Sequence, residues 1–232
     1  MKISNIKKQM KDFTLEIEAL TFTPGRIHGL LGGNGSGKST LAKIIVGIVA
    51  ADSGEIDYQG VPTDEITMTF QRPYILQDTL YQNLIYPLKL RKANIDEGLI
   101  DQLLQRFELS EKKHSYAPAL SSGQRQKLSL IRAMIFDPRI IIIDESLSNV
   151  DSETLAIMED WLLKQQQVVP KTIVLISHQI GTIARLCQEV HVLDKGRLVE
   201  SGPCKQVLLQ SKQPAVQRYM KDFVLIKEEV HG

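Results

Sequence analysis

Residues 32–40 read GGNGSGKST. Before them runs Arg26–Leu31, a short apolar stretch that reads as a strand; after them Leu41, Ile44, Ile45 and Ile48 recur at helical spacing. Gly32, Gly37, Lys38 and Ser39 occupy the fixed positions of G-x-x-x-x-G-K-[ST], in the strand–loop–helix context the motif requires. Glycines there let backbone N–H groups turn inward around phosphate oxygens. The following helix adds the positive end of its dipole. Lys38 offers a point charge to terminal phosphates and Ser39 a hydroxyl ligand for Mg²⁺. Gly33, Asn34, Gly35, Ser36 and Thr40 complete the expected phosphate cradle.

Outward from this loop the pattern is α/β. Upstream, Phe13–Phe22 alternates Phe13, Leu15, Ile17 and Ala19 with Thr14, Glu16 and Glu18, the mark of a half-buried strand. Pro24-Gly25 makes a turn. Downstream, Glu55–Gln59 and Thr67–Phe70 are strand-like. From Leu80 to Phe136 the spacing turns helical, with Leu99, Ile100, Leu103, Leu104 and Phe107 on one face and Leu128, Ile131 and Ile135 on another. Asp137-Pro138 ends that stretch. Ile140–Ile143 and Thr172–Ser177 are continuous apolar runs, which fit strands buried on both faces of a parallel sheet. Leu193–Leu198 reads as a hairpin turning at Gly196. The expected fold is an α/β core interrupted by a helical insert.

Two strand ends carry chemistry. Ile140–Ile143 runs into Asp144-Glu145, and ligands of open α/β sheets sit beyond the carboxyl ends of the strands. Asp144 is expected to reach Mg²⁺ and Glu145 to orient or deprotonate an attacking water. Thr172–Ser177 leads to His178 at the same sheet edge, within reach of a γ-phosphate; Gln71 ends the strand before the helical insert.

Composition narrows the class. The 232 residues are 43% hydrophobic and 24% charged with a formal net charge of +1, so no global electrostatic argument exists for nucleic acid or an acidic membrane surface. Cys187 and Cys204 form no CxxC or metal cluster and are expected to be reduced thiols. No stretch approaches the ~18 apolar residues of a spanning helix, and the N-terminus lacks the apolar core of a secretory signal. If the chain serves transport, another chain is expected to supply the pore.

The segment LSSGQRQKLSLIRAM, Leu120–Met134, resembles the LSGGQ signature of ATP-binding-cassette (ABC) proteins. Together with GGNGSGKST, FQRP, IIIIDES and LISHQ, it extends the resemblance over almost the whole chain, in the right order and spacing. The resemblance implies a P-loop NTPase core of RecA type with a mostly parallel sheet, an N-terminal antiparallel β subdomain and a helical subdomain. The expected division is 1–78 and 137–232 for the core and 79–136 for the helical part. It implies roles as well: Gln71 as the glutamine sensing Mg²⁺ and γ-phosphate, His178 as the switch histidine, and Ser148-Asn149-Val150-Asp151 as the D-loop. Ser121, Ser122, Gly123 and Gln124 would cap the γ-phosphate of ATP held by a second subunit. They open a helix, so free N–H groups and a hydroxyl are expected to face outward as half of an anion site.

Departures from the family pattern are Ser122 in place of the first signature glycine and Ser146-Leu147 in place of Pro-Thr. An adenine-stacking aromatic is not evident; Met10 falls near that place, with Phe13 close by. The resemblance is to importer-type ATP-binding subunits, with those for tungstate, phosphate or amino acids most similar. Expected partners are a transmembrane permease, a second and identical ATPase subunit and an extracytoplasmic binding protein, with no nucleic acid. The expected location is peripheral, on the cytoplasmic face of the cell membrane. Exposed members of Thr79–Lys92, with Tyr74 and Leu76, would line a groove for a permease helix. The alternative is a soluble ABC ATPase acting on ribosomes or DNA.

Overall fold

The computed structural model describes residues 1–145, 147 and 150–220. Its centre is a nine-stranded sheet of order β4-β1-β2-β9-β8-β3-β7-β6-β5. Five neighbours are parallel: β8 (Glu189–Asp194), β3 (Ile27–Leu31), β7 (Thr172–Ile176), β6 (Ile140–Asp144) and β5 (Ile66–Thr69). β9 (Arg197–Pro203) turns back antiparallel to β8 through Lys195 and Gly196, both at positive φ. It carries the sheet into the antiparallel trio of β2 (Thr14–Thr21), β1 (Lys2–Gln9) and β4 (Ser53–Asp57).

The continuous apolar runs resolve into alternating faces. Ile141, Ile143, Ile173 and Leu175 join one core, packed under helices; Ile140, Ile142, Val174 and Ile176 join the other, against α1 (Lys38–Ile45) and the antiparallel strands. All eight are buried, and each contributes about 1.5–3 kcal/mol of hydrophobic free energy.

The helical stretch holds α2 (Leu80–Leu90), α3 (Glu97–Arg106) and α4 (Ser122–Met134). Their N-termini are closed by Thr79, Asp96 and Ser121, whose side chains accept from the N–H three residues on. Phe107, just past α3, meets Trp161 of α5 (Ser152–Val168) edge to face at 5.1 Å, tying the helical stretch to the sheet layers. α6 (Ile180–Leu186) and α7 (Cys204–Gln210) complete the cover. Cys187 and Cys204 are free and buried.

One sequence expectation changes here, beside a strand that the sequence pattern did not reveal. β1 carries no clean alternation, because Ile3 and Ile6, three apart, share the inner face. Asn5 between them sits at φ 52°, and the β1–β4 register shifts there. Its partner β2 shifts in step: Ile17 and Leu20 are buried while Ala19 is exposed, so Leu20 and not Ala19 completes the inner row.

Candidate nucleotide site

The loop after β3 forms a cleft of about 460 Å³ lined by Asn34–Thr40, Asp12, Phe13 and Glu145. Gly32 is demanded by close approach: its φ is 144°, and a Cβ there would lie 2.2 Å from the Leu193 carbonyl. Lys38, buried on the first turn of α1, donates to the carbonyls of Gly32 (2.7 Å) and Gly33 (3.0 Å). Burial holds its ammonium below the usual lysine range, with Glu145 and Asp144 opposing that shift. The Ser36 hydroxyl is buried without a partner among the described residues, a polar atom waiting for an acceptor or donor from outside the chain.

Asp144 ends β6 beside Ser39. Burial pushes its carboxyl above the usual range, and the Ser39 hydrogen bond opposes this. A hydroxyl and a desolvated carboxylate together are hard oxygen donors of the kind Mg²⁺ takes, so these residues fit that ion.

Glu145 is held at a strained point. Its φ of 51° costs about 1–2 kcal/mol in a residue with a Cβ, and its N–H is anchored to the Ile176 carbonyl at 2.9 Å. The carboxylate is gripped from both sides, by Gln71 Nε2 at 2.6 Å and by His178 Nε2 at 2.6 Å. Three residues named from separate strand ends thus meet at one carboxylate.

Sequence reasoning missed the residue that ties this trio to the signature helix. Gln126, buried on α4, donates to the Gln71 carbonyl at 2.9 Å. Its only sequence signal was a polar residue within the apolar spacing of α4. Ser121 and Gln124 form a reciprocal capping box, Gln124 N–H to Ser121 Oγ at 3.2 Å and Ser121 N–H to Gln124 Oε1 at 3.0 Å. Ser121 and Ser122 are exposed at this helix tip with the N–H groups of Ser122 and Gly123, and the Ser121 hydroxyl, which accepts within the cap, keeps its own proton to donate. None of Ser121–Gln124 lines the phosphate-loop cleft. Asp151 caps α5 through Thr154 N–H at 2.8 Å and lies beside Gly123. Ser146, Ser148 and Asn149 lie outside the described residues. Met10 does not line the cleft and is 44% exposed, whereas Phe13 packs over the loop, its Cζ 2.9 Å from where a Gly37 Cβ would be.

A second concavity of about 450 Å³ lies between α2, α4 and β5. It is lined by Met68, Phe70, Tyr74, Leu76, Tyr86 and Leu90 among others. Asn83, fully buried, shapes its rim by bonding the Leu76 N–H and carbonyl, and Arg132 donates to Asn83.

Residues 15–148 match the family model described as ABC transporter. The chain belongs to the ABC transporter family. It is 34% identical over 206 residues to the tungstate uptake system ATP-binding protein TupC of Peptoclostridium acidaminophilum, covering 86% of this chain and 96% of that one. It is 31% identical over 227 residues to the methionine import ATP-binding protein MetN 2 of Pseudomonas entomophila strain L48, covering 90% and 68%. Among solved structures, an ATP-binding subunit of an ABC transporter superposes with a TM-score of 0.81 at 21% identity over 96% of this chain and 98% of that one. CbiO1 of Clostridium perfringens, part of the CbiONQ complex, superposes at 0.75 with 22% identity, covering 100% and 98%. The chain is thus the ATP-binding and ATP-hydrolysing component of an ABC transporter and works with a permease. Among the described residues no helix is long and apolar enough to cross a membrane.

Proposed function

We propose that this ABC subunit drives solute import, with a tungstate-like oxyanion as cargo, by closing as an identical pair around ATP and opening after hydrolysis. The oxyanion reading rests on the similarity to TupC, which extends over nearly the whole of that protein. The observation that carries the mechanism is the Glu145 carboxylate, held between Gln71 and His178 at the wall of the phosphate-loop cleft.

In this reading Gly32–Thr40 cradle the triphosphate, and Lys38 trades its two carbonyl partners for phosphate oxygens. Ser39, Asp144 and Gln71 hold Mg²⁺, which neutralises phosphate charge when bound. Glu145, released from its clamp, accepts a proton from the attacking water, and His178 steadies the terminal phosphate. Ser121, Ser122, Gly123, Gln124 and Asp151 serve the site of the partner subunit, since each cleft contains none of its own signature residues. Phe13 is the wall available to the nucleotide base.

The catalytic core comprises 1–78 and 137–232, and 79–136 form the helical arm. The groove beside Tyr74 and Tyr86 receives a permease helix, which places the subunit peripherally at the cytoplasmic face. Gln126 passes motion of that arm to Gln71. An extracytoplasmic binding protein completes the importer.

Glu145→Gln is expected to keep ATP binding, to lower turnover at least ~10²-fold, and to accumulate as a dimer in ATP by sedimentation. Wild-type turnover in that variant would remove Glu145 from the mechanism. A turnover rate per chain that stays constant on dilution, with no paired species in ATP, would remove the paired site.

A further inference from the structure

Away from the nucleotide cleft, His28, Glu189 and His191 bring metal-binding atoms within 4.8 Å of one another. His28 lies on β3, and the other two on its parallel neighbour β8. The register sets His28 opposite Glu189 and Leu30 opposite His191, so all three share one face of the sheet. Both imidazoles are buried and stack at 22° with centroids 5.2 Å apart; Phe22 closes them edge-on.

The hydrogen bonds determine where the protons are. His28 Nε2 is 2.9 Å from the Thr23 carbonyl, which can only accept, so the proton is on Nε2. Both rings are buried, and desolvation favours their neutral forms. His28 Nδ1 is then a bare acceptor. It faces His191 Nε2 at 3.0 Å and Glu189 Oε2 at 3.4 Å. A proton on His191 Nε2 satisfies the first contact and leaves two acceptors opposed in the second. A cation relieves both.

We infer that His28 Nδ1, His191 Nε2 and the Glu189 carboxylate form a structural site for a divalent transition-metal ion of the zinc class. Metal–nitrogen bonds of about 2.0–2.1 Å in tetrahedral geometry put two nitrogens about 3.3 Å apart, a small opening from the present 3.0 Å. The supporting shell already exists. The Thr23 carbonyl orients His28, Ser201 Oγ lies 2.6 Å from His191 Nδ1, and Glu189 is steadied by the Thr23 hydroxyl and by Arg26 at 2.7 Å. Loading needs no net proton release: the His191 proton moves from Nε2 to Nδ1, where Ser201 Oγ accepts it. Two imidazoles favour zinc over magnesium, so this site differs in kind from the oxygen donors at Ser39 and Asp144. Glu189, with 17% of its side chain in solvent, marks the entry. The ion would clip β3, which feeds the phosphate loop, to β8, whose Leu193 carbonyl backs Gly32.

The test is zinc titration of nucleotide-free, magnesium-free protein by calorimetry. A His178→Ala background removes the His178–Glu145 pair as a competing chelator. One ion per chain is expected, with a visible Co²⁺ absorption of tetrahedral nitrogen–oxygen type on substitution. The melting temperature should rise by about 5–10 °C at a hundredfold excess over Kd. His191→Gln should abolish saturable binding, and Glu189→Gln, at a partly exposed position that keeps both rings packed, should weaken it at least ~10-fold. Absence of saturable zinc and cobalt binding by the folded His178→Ala protein would overturn the site. So would binding unchanged in folded Glu189→Gln, or an NMR spectrum in which His28 carries a second proton that zinc does not displace.

Discussion

Asp144, Lys38 and Glu145 are each held in a state that costs the folded protein free energy. Asp144 is desolvated, with its carboxyl pushed above the ordinary range. A raised carboxyl binds protons more readily in the native state than in the unfolded one, so its contribution is most favourable at low pH and is lost as pH rises past its unfolded value. At neutral pH the ionised group therefore weighs against folding. Asp144→Asn is expected to raise the melting temperature of nucleotide-free protein while erasing the Mg²⁺ dependence of ATP binding; a lower melting temperature would contradict the desolvation argument. Lys38→Ala should weaken ATP binding about 10²-fold or more in a direct titration, since it removes the charge on the terminal phosphates. The two thiols are a different case. Burial raises the pKa of Cys187 and Cys204, which lowers the thiolate fraction, so neither should be alkylated by iodoacetamide at pH 8 until denaturant is added.

At the scale of elements, the β1–β4 edge shows how one residue redirects a strand. Asn5 at φ 52° lets Ile3 and Ile6 point to the same core. Gly54 opposite has φ 89°, and a Cβ there would sit 2.3 Å from the Asn5 carbonyl. Asn5→Val, although it raises strand propensity, should destabilise the protein by about 1–2 kcal/mol, and Gly54→Ala by about 2–3 kcal/mol, both read from urea midpoints at constant m. A gain in stability for Asn5→Val would mean that the bulge is not required. The same phase shift explains why β1 was illegible: its apolar residues keep neither a period of two nor one of 3.6. The phosphate loop and the strand-end carboxylates were legible because each is encoded within about ten consecutive residues. Gln126 was not, because a buried glutamine announces a partner without saying that it is the Gln71 backbone, 55 residues away.

For the molecule as a whole, the paired reading predicts complementation. A Lys38→Ala chain retains its signature, and a Gly123→Asp chain retains its phosphate loop. Each alone should be inactive; mixed, half the pairs are hybrids with one intact site, so ATPase activity should return to about a quarter of wild type if the sites act independently. No recovery in mixtures shown to exchange subunits would mean that one closed site is insufficient.

Read by itself, the amino-acid order determined the class of chemistry and the sheet-and-helix plan, because phosphate loops, capping residues and buried strands are specified by short-range steric and hydrogen-bonding rules. Only the tertiary structure decided which face each isoleucine of β6 takes, that Phe13 rather than Met10 walls the cleft, that Gln126 bonds the Gln71 carbonyl, and that His28, Glu189 and His191 converge. These depend on contacts between residues distant in sequence, set by strand register and packing, and a local pattern carries no record of its distant neighbour.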